Sequence, residues 1–408
     1  MKSFRDSSIK LNSALTKQER KAQGIYFTPK AARDELLNSL SEYNPSRILE
    51  PSFGSGEFLD DVIERWPDAI VHGVEFNKKI FDSYKGKATV YNADFTSWTS
   101  EEKYHMILGN PPYFLTKTKN PKAMTGRPNI YIEFLYKCLT MHLLPGGILS
   151  FILPTSLMNC SYYSPMRDYI ATKTTILAVK PIDASFYDTA QATFILTVKN
   201  TPFTQNKYLL RISGKNYLSP SVDCVKGLLD NTSNLSSLGY TVKTGEVVWN
   251  QVRRVNGKDI QAEKKKKNGD PADCICEGDL VDDSEGATVL YYDSNLGSGS
   301  FIMTPSKNPL KRQYLKGFDS PALTGPAILV SRGFGNDYHF KYSIVLSGNL
   351  FYAENHVNVI QPKDAASAAS FQRVVDSLKD SRTMEFLKLF VGNGGLSKTE
   401  LETLLPIF

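Results

Sequence analysis

The chain has 408 residues, 41% hydrophobic and 22% charged, which excludes wholesale disorder and is too long for a single ordinary core at roughly 100–200 residues per domain. It carries no run of 18 apolar residues, and its amino-terminal stretch is polar, so neither a membrane-spanning helix nor a secretory leader is expected and a cytoplasmic location is. A formal net charge of +6 permits a polyanionic partner without requiring one.

Helical spacing of apolar residues runs from Ala31 to Leu40. After Pro45, short apolar runs predict strands at Arg47–Glu50, Ala69–Glu75, Thr89–Tyr91, Met106–Leu108, Ile148–Leu153, Ile176–Val179 and Phe194–Val198. Helical patterns lie between them at Phe58–Trp66, Asn77–Tyr84, Ile130–Leu143 and Ser156–Ala171. This alternation predicts an α/β domain with a mostly parallel sheet covered on both faces, whose ligands sit beyond the carboxyl ends of the strands. Beyond about Leu210 the rhythm gives way to polar loops and short β-like pieces such as Tyr240–Lys243 and Ala327–Val330, with a last helical pattern at Ala368–Phe390. We therefore expect two domains, 1–225 and 226–408. The run Lys264–Lys267 suits a solvated loop or a phosphate contact. Five scattered cysteines (Cys138, Cys160, Cys224, Cys274, Cys276) include no Cys-x-x-Cys pair, so free thiols and no metal are expected.

The predicted strand ends carry the chemistry. After Glu50, a turn through Ser52, Phe53, Gly54 and Gly56 lets backbone approach a bulky ligand, although it lacks the spacing of a phosphate-binding loop. The next strand ends at Glu75, about twenty residues on, where a carboxylate can accept hydrogen bonds from ribose hydroxyls. The third leads to Asp94 and Phe95, a carboxylate for an adenine amino group and a ring to pack on it. Glu75 and Asp94 could singly be exposed strand ends; three successive strands ending this way favour a nucleoside site.

The most specific signal follows the fourth strand: Asn110, Pro111, Pro112 and Tyr113. Adjacent prolines fix two φ angles and remove two N–H donors, leaving carbonyl oxygens in a rigid array. The side-chain oxygen of Asn110 and the carbonyl of Pro111 can each accept one hydrogen of an amino group, aiming its lone pair at an electrophile. Tyr113 offers a face for a heterocycle to stack on, worth about 1–3 kcal/mol per base. No cysteine follows a proline, so the nucleophile needed for C5 methylation of cytosine is missing.

In this order the motifs resemble the gamma class (TaqI-type) of DNA adenine-N6 methyltransferases of restriction–modification systems. The resemblance implies a Rossmann-like catalytic domain using S-adenosyl-L-methionine, and a carboxyl-terminal mixed α+β target-recognition domain. Gly24 to Pro29 resembles the motif that closes over the methionine part of the cofactor, implicating Tyr26, Thr28 and Pro29. Glu50 to Gly56, Glu75 with Phe76, and Asp94 with Phe95 match the successive cofactor motifs; Asn110 and Pro112 are implied to touch cofactor as well. Phe134 resembles a residue of the helix beside the catalytic loop, and Phe186 falls where the family places a second aromatic against a flipped adenine, or is an ordinary loop anchor. Only about fifty residues separate the glycine turn from the tetrapeptide, the arrangement of the gamma class.

The implied partner is double-stranded DNA, with the enzyme a monomer and any cognate restriction endonuclease a separate chain. Arg253, Arg254, Lys311, Arg312 and Arg332 are candidates for phosphate or guanine contact, or plain surface charges. The same tetrapeptide suits RNA adenine-N6, DNA cytosine-N4 or glutamine-amide methylation. A catalytically inactive DNA-binding module is the alternative outside enzymology.

Overall fold

The computed structural model describes residues 4, 6–116, 120–182, 192–202, 207–255, 258–259, 276–302, 310–334, 338–390 and 395–408. The chain divides into two units, Met1–Val225 and Lys226–Phe408.

In the first unit the apolar runs become one seven-stranded sheet: β1 (Arg47–Glu50), β2 (Ile70–Glu75), β3 (Thr89–Asn92), β4 (Tyr104–Gly109), β5 (Leu143–Pro154), β6 (Thr175–Ile182) and β7 (Thr193–Lys199), in the order β3-β2-β1-β4-β5-β7-β6. β3, β2, β1, β4 and β5 run parallel, and only β7 is antiparallel to its neighbours β5 and β6. Helices α1 (Asp6–Ala14), α2 (Lys17–Gln23) and α3 (Lys30–Asn38) precede the sheet. The helices α4 (Glu57–Arg65), α5 (Lys78–Ser83), α6 (Ile130–Lys137), α7 (Ser156–Asn159) and α8 (Ser164–Lys173) connect its strands. Side chains alternate across a strand, so β5 feeds two cores: Ile148 and Ile152 join the cluster with Leu36 and Leu59, whereas Leu149, Phe151 and Leu153 join the one with Leu135 and Ile170. Both faces are thus covered, which is why the strands read as continuous apolar runs.

Three predicted helices end or break sooner than their apolar spacing suggests. The one expected over Ile130–Leu143 is α-helical only to Lys137; a π-helical turn, Cys138–His142, follows, and β5 begins at Leu143. The wider turn lets the buried His142 ring lie against Trp98 and Phe95, at 5.3 and 5.4 Å between centroids. The pattern Ser156–Ala171 is interrupted at Cys160 and restarts with Pro165 in the first turn of α8, where its missing N–H costs nothing. The last, Ala368–Phe390, breaks at the extended Asp380 into Phe371–Lys379 and Ser381–Phe390, the Asp380 carboxylate accepting from Arg382.

The second unit is mixed α+β. A five-stranded sheet orders Tyr240–Thr244, Val357–Pro362, Ala327–Ser331, Tyr342–Val345 and Ser298–Gly299, and a seven-stranded sheet has Cys276–Val281 and Tyr314–Lys316 near its middle. One buried cluster, around Leu329 and Phe351, takes side chains from both sheets, and another lies around Leu280 and Leu315. No helix among the described residues is long and apolar enough to cross a membrane.

One buried ion cluster ties the amino-terminal segment to the sheet. Arg33 of α3, 1% exposed, donates to Asp61 of α4 at 2.6 Å and to the Thr28 carbonyl at 2.6 Å, and pairs with the buried Glu57. Ser8 of α1 donates to the same Glu57, with the Ser55 hydroxyl 2.7 Å away. Deleting one partner of a buried pair strands the other charges. Arg33→Met is therefore expected to lower the unfolding free energy by about 3–5 kcal/mol, read as a fall in the urea midpoint at unchanged slope.

Candidate active site

The strand order reverses at β1, which has β2 on one side and β4 on the other, so the loops leaving β1 and β4 part and open a crevice. A cavity of ≈ 710 Å³ occupies it. Of the residues singled out from sequence, Tyr26, Ser52, Gly54, Glu75, Phe76, Asp94, Phe95, Asn110, Pro112 and Phe134 line this cavity. A small recess shares Tyr26, Ser52, Gly54 and Asn110 with it and adds Thr28, Glu50 and Phe53.

Each carboxyl group is held differently. Glu75, at the end of β2, accepts the Asn77 N–H at 2.7 Å and the Gly54 N–H at 3.0 Å, which orients it and fixes the turn after β1. Burial raises its pKa against the pull of those N–H groups. Each oxygen keeps a lone pair for a ligand hydroxyl. Asp94 accepts the Thr96 N–H at 2.8 Å and its hydroxyl at 2.7 Å through one oxygen, Oδ1. Phe95 is buried behind it, 4.8 Å from the Phe134 ring. Glu50 is the exception: it is buried, and its Oε2 has no hydrogen-bond partner among the described residues. Burial drives its pKa well above the usual carboxylate range, opposed by Arg33 and aided by Glu75, Asp61 and Asp60. An orphaned buried carboxyl facing a recess fits a ligand that brings its own cation, as the amino-acid end of S-adenosylmethionine does.

The tetrapeptide leaves β4 at Gly109. The Asn110 amide donates through Nδ2 to Thr28 Oγ1 at 3.1 Å, while its Oδ1 accepts from the Tyr113 hydroxyl; Ser52 donates to the Asn110 carbonyl at 3.3 Å. Tyr113 does not line the cavity. Its part-exposed ring packs on the core edge-on to Tyr131 at 5.9 Å, and the Ile152 carbonyl, 2.7 Å from its hydroxyl, is the alternative acceptor for the one hydrogen. A phenol this sheltered needs such a partner, and its pKa is pushed well above the ordinary value by burial. Gly24 caps α2 at φ +61°; a Cβ there would lie 2.8 Å from the Tyr113 nitrogen, so only glycine lets this segment lie against the loop after β4.

Pro29, Gly56 and Pro111 also lie outside the cavity lining. Pro29 precedes the first turn of α3, and Gly56 starts α4 with the Tyr84 ring where its side chain would be, 2.3 Å from a notional Cβ. That glycine makes room for protein rather than ligand. Phe186, Cys274 and the Lys264–Lys267 run lie outside the described residues. Several lining residues were not legible as such: Gln23, Phe27, Thr96, Phe114, Asn120, Ile130 and Glu133. Ile130, Glu133 and Phe134 fall at i, i+3 and i+4 of α6, a helical face that could have been read from sequence. Glu133 accepts the Asn120 N–H at 3.0 Å, pinning the loop beyond the tetrapeptide.

In the second unit the five basic candidates differ in availability. Arg253 pairs with Glu277, and Arg312 with Asp282 at 3.0 Å. Lys311 lies 4.1 Å over the Tyr292 ring and 3.8 Å from the buried Glu354, and Arg332 donates to the Asn355 carbonyl at 3.1 Å. Arg254 is exposed on the strand Val252–Val255.

Residues 34–185 match the model of the Eco57I restriction-modification methylase family. The chain is 29% identical over 419 residues to the Type II methyltransferase M.CvrRI of Paramecium bursaria Chlorella virus XZ-6E, covering 100% of both chains. It is 30% identical over 411 residues to the modification methylase CviBIII of Paramecium bursaria Chlorella virus NC1A, covering 97% of this chain and 96% of that one. A shorter stretch of 132 residues is 28% identical to the tRNA1(Val) (adenine(37)-N6)-methyltransferase of Glaesserella parasuis, covering 29% of this chain and 56% of the relative. Matched from end to end by modification methylases, and with the cavity at the reversal of its sheet, the chain belongs to the Type II methyltransferases of restriction–modification systems, which act on DNA with S-adenosylmethionine as cofactor.

Proposed function

We propose that this methyltransferase modifies the exocyclic N6 amino group of an adenine, in a specific sequence of double-stranded DNA, after that base is rotated out of the helix. The observation that carries the reading is Asn110, a side-chain amide oriented by Thr28 and Tyr113 at the wall of the cavity. An amino group stacked inside a duplex cannot reach such a wall, hence the rotation. Similarity of the catalytic region to an adenine-N6 methyltransferase, albeit one named for tRNA, supports adenine as the base.

When bound, the cofactor supplies a methyl group on a sulfonium, already electrophilic. Asp94 and Phe95 suit its adenine, Glu75 its ribose hydroxyls, and Glu50 and Thr28 the amino-acid end. Asn110 Oδ1 and the Pro111 carbonyl accept the two hydrogens of the target amino group, so that its lone pair points away from them. Tyr113, whose ring packs on the core outside the cavity lining, acts here through its hydroxyl on the Asn110 side-chain oxygen. No protein base is needed before methyl transfer, because carbonyl acceptors both orient the nitrogen and draw its proton density. Arg254 serves as a phosphate contact of the recognition domain.

Labelled methyl transfer to unmethylated DNA, followed by nucleoside analysis, tests the substrate directly: N6-methyladenine in one short sequence is expected, whereas N4-methylcytosine, or transfer to RNA alone, overturns it. Asn110→Ala is expected to cut that transfer by about 10²–10³-fold while cofactor binding persists. Arg254→Ala is expected to weaken DNA binding similarly for all sequences and to reduce the salt slope by about 1.

Glu50 generates a pH prediction. Its folded pKa is raised, so the free protein binds a proton that the unfolded chain has lost, and this group's contribution to stability falls as pH rises above the ordinary carboxylate value. Pairing with a cation requires the ionised form, so cofactor binding expels the proton. Affinity for S-adenosylmethionine should therefore rise with pH, by at most about tenfold per unit, and Glu50→Gln should flatten the dependence in calorimetric titrations.

A further inference from the structure

Lys137, the last residue of α6, belongs to none of the cofactor or catalytic motifs. It is three residues beyond Phe134 and four beyond Glu133, both of which line the cavity, so it shares their helical face. Its ammonium is spent on backbone: Nζ donates to the carbonyls of Phe95 at 2.6 Å, Thr96 at 3.0 Å and Trp98 at 2.5 Å. Three N–H donors meet three acceptors, which saturates the group. It also lies 5.1 Å from the centre of the Phe95 ring.

Those carbonyls belong to the turn that presents Asp94. The Asp94 carbonyl accepts the N–H groups of Ser97 at 3.0 Å and Trp98 at 2.8 Å, closing one helix-like turn. The carbonyls beyond the start of such a turn point away from its N–H groups, and a cation at that end is favourable. Asp94, Phe95 and Thr96, residues of the same turn, line the cavity, whereas Lys137 does not. The rings of Phe134, Trp98 and His142 pack around Phe95 without bonding to its backbone. Lys137 supplies the polar restraint.

We propose that Lys137 is a positioning residue for the adenosine half of the cofactor, its ammonium holding the Asp94–Phe95 wall of the cavity in place from behind. This rests on the reading that Asp94 and Phe95 receive the cofactor's adenine. The side chain touches neither cofactor nor target base, so it sets how tightly the nucleoside is held and leaves methyl transfer at saturation unchanged.

The test is calorimetric binding of S-adenosylmethionine and of 5′-methylthioadenosine, which carries the adenosine without the amino acid, to the full chain. Wild type, Lys137→Met, Lys137→Arg, Asp94→Asn and the Lys137→Met/Asp94→Asn double variant are compared. Lys137→Met keeps the aliphatic stem and loses the charge-assisted hydrogen bonds; it is expected to weaken both ligands by the same factor, about tenfold. Turnover at saturating cofactor should stay within about twofold, a rise in KM without a fall in kcat. The double variant should bind little worse than Asp94→Asn alone, since both changes act on one wall. Lys137→Arg keeps a cation at the carbonyls and should lose less than Lys137→Met, which keeps the test alive if the Met variant folds poorly. The proposal is overturned if Asp94→Asn weakens both ligands but Lys137→Met does not, if the two losses multiply in the double variant, or if Lys137→Arg is no better than Met. If Asp94→Asn leaves both affinities unchanged, it is the adenine assignment that fails, and the proposal falls with it.

Discussion

Everything at the cavity depends on one topological constraint, the reversal of strand order at β1 in a sheet buried on both faces. Because β1 pairs in parallel with β2 and β4, the chain leaves all three strands at the same edge. Leu49 lies level with Ile107, so the turn after β1 and the tetrapeptide after β4 start almost side by side. The polar groups then follow the order of the strands: Asp94 after β3, Glu75 at β2, Glu50 at β1 and Asn110 after β4. Neighbouring strands are about 4.8 Å apart, so three steps separate the first group from the last by about 14 Å. That is the scale of an extended nucleoside carrying an amino acid, as the proposed assignment of these groups to the parts of the cofactor requires.

The amino-terminal segment adds the constraints a sheet cannot. Gln23 accepts the Asn77 side-chain amide at 2.9 Å, beside the carboxylate of Glu75; Gly24 lies against the loop after β4; Thr28 holds Asn110. One short stretch thereby touches the loops after β1's two neighbours. The Arg33 cluster anchors its far end through the Thr28 carbonyl, and does so with buried charge, which an apolar contact of the same volume would match in stability. What the charges add is direction: a guanidinium with fixed N–H vectors sets the carbonyl, and so the hydroxyl, of a residue that orients the proposed catalytic amide.

Much of this was legible in the residues because local chemistry decided it. The apolar runs of β1, β2 and β4 have no alternative but a sheet interior, and Glu50, Glu75 and Asp94 stand out as carboxylates at or just beyond strand ends. What escaped depends on partners distant in the chain. Tyr113 turns inward because the carbonyl of Ile152, 39 residues on, accepts its hydroxyl, and Thr28 meets Asn110 across 82 residues. Gly56 reads like Gly54, yet Tyr84 fills the space beside it. Lys137 is an unremarked lysine at the end of an amphipathic helix until the turn after β3 is folded against it. The π-helical turn after it has no sequence period to betray it, since its purpose is to seat His142 among rings that come from another element.

The state of the amide at Asn110 follows from counting protons. The Tyr113 hydroxyl has one hydrogen and two acceptors within reach, the Asn110 side-chain oxygen and the Ile152 carbonyl, and its raised pKa keeps that hydrogen in place. When the main-chain carbonyl takes it, Asn110 Oδ1 has both lone pairs for an incoming amino group, while Thr28 still holds the amide plane through Nδ2. An aspartate here would add a carboxylate to a region that already holds Glu50 and Glu57 in the recess and Glu75 and Asp94 in the cavity, where burial and like charge favour protonation. A protonated acid donates where the target amino group needs an acceptor. A neutral amide has no such failure: it does not titrate, and in the proposed roles it would accept from the target amino group without competing for the cation assigned to Glu50.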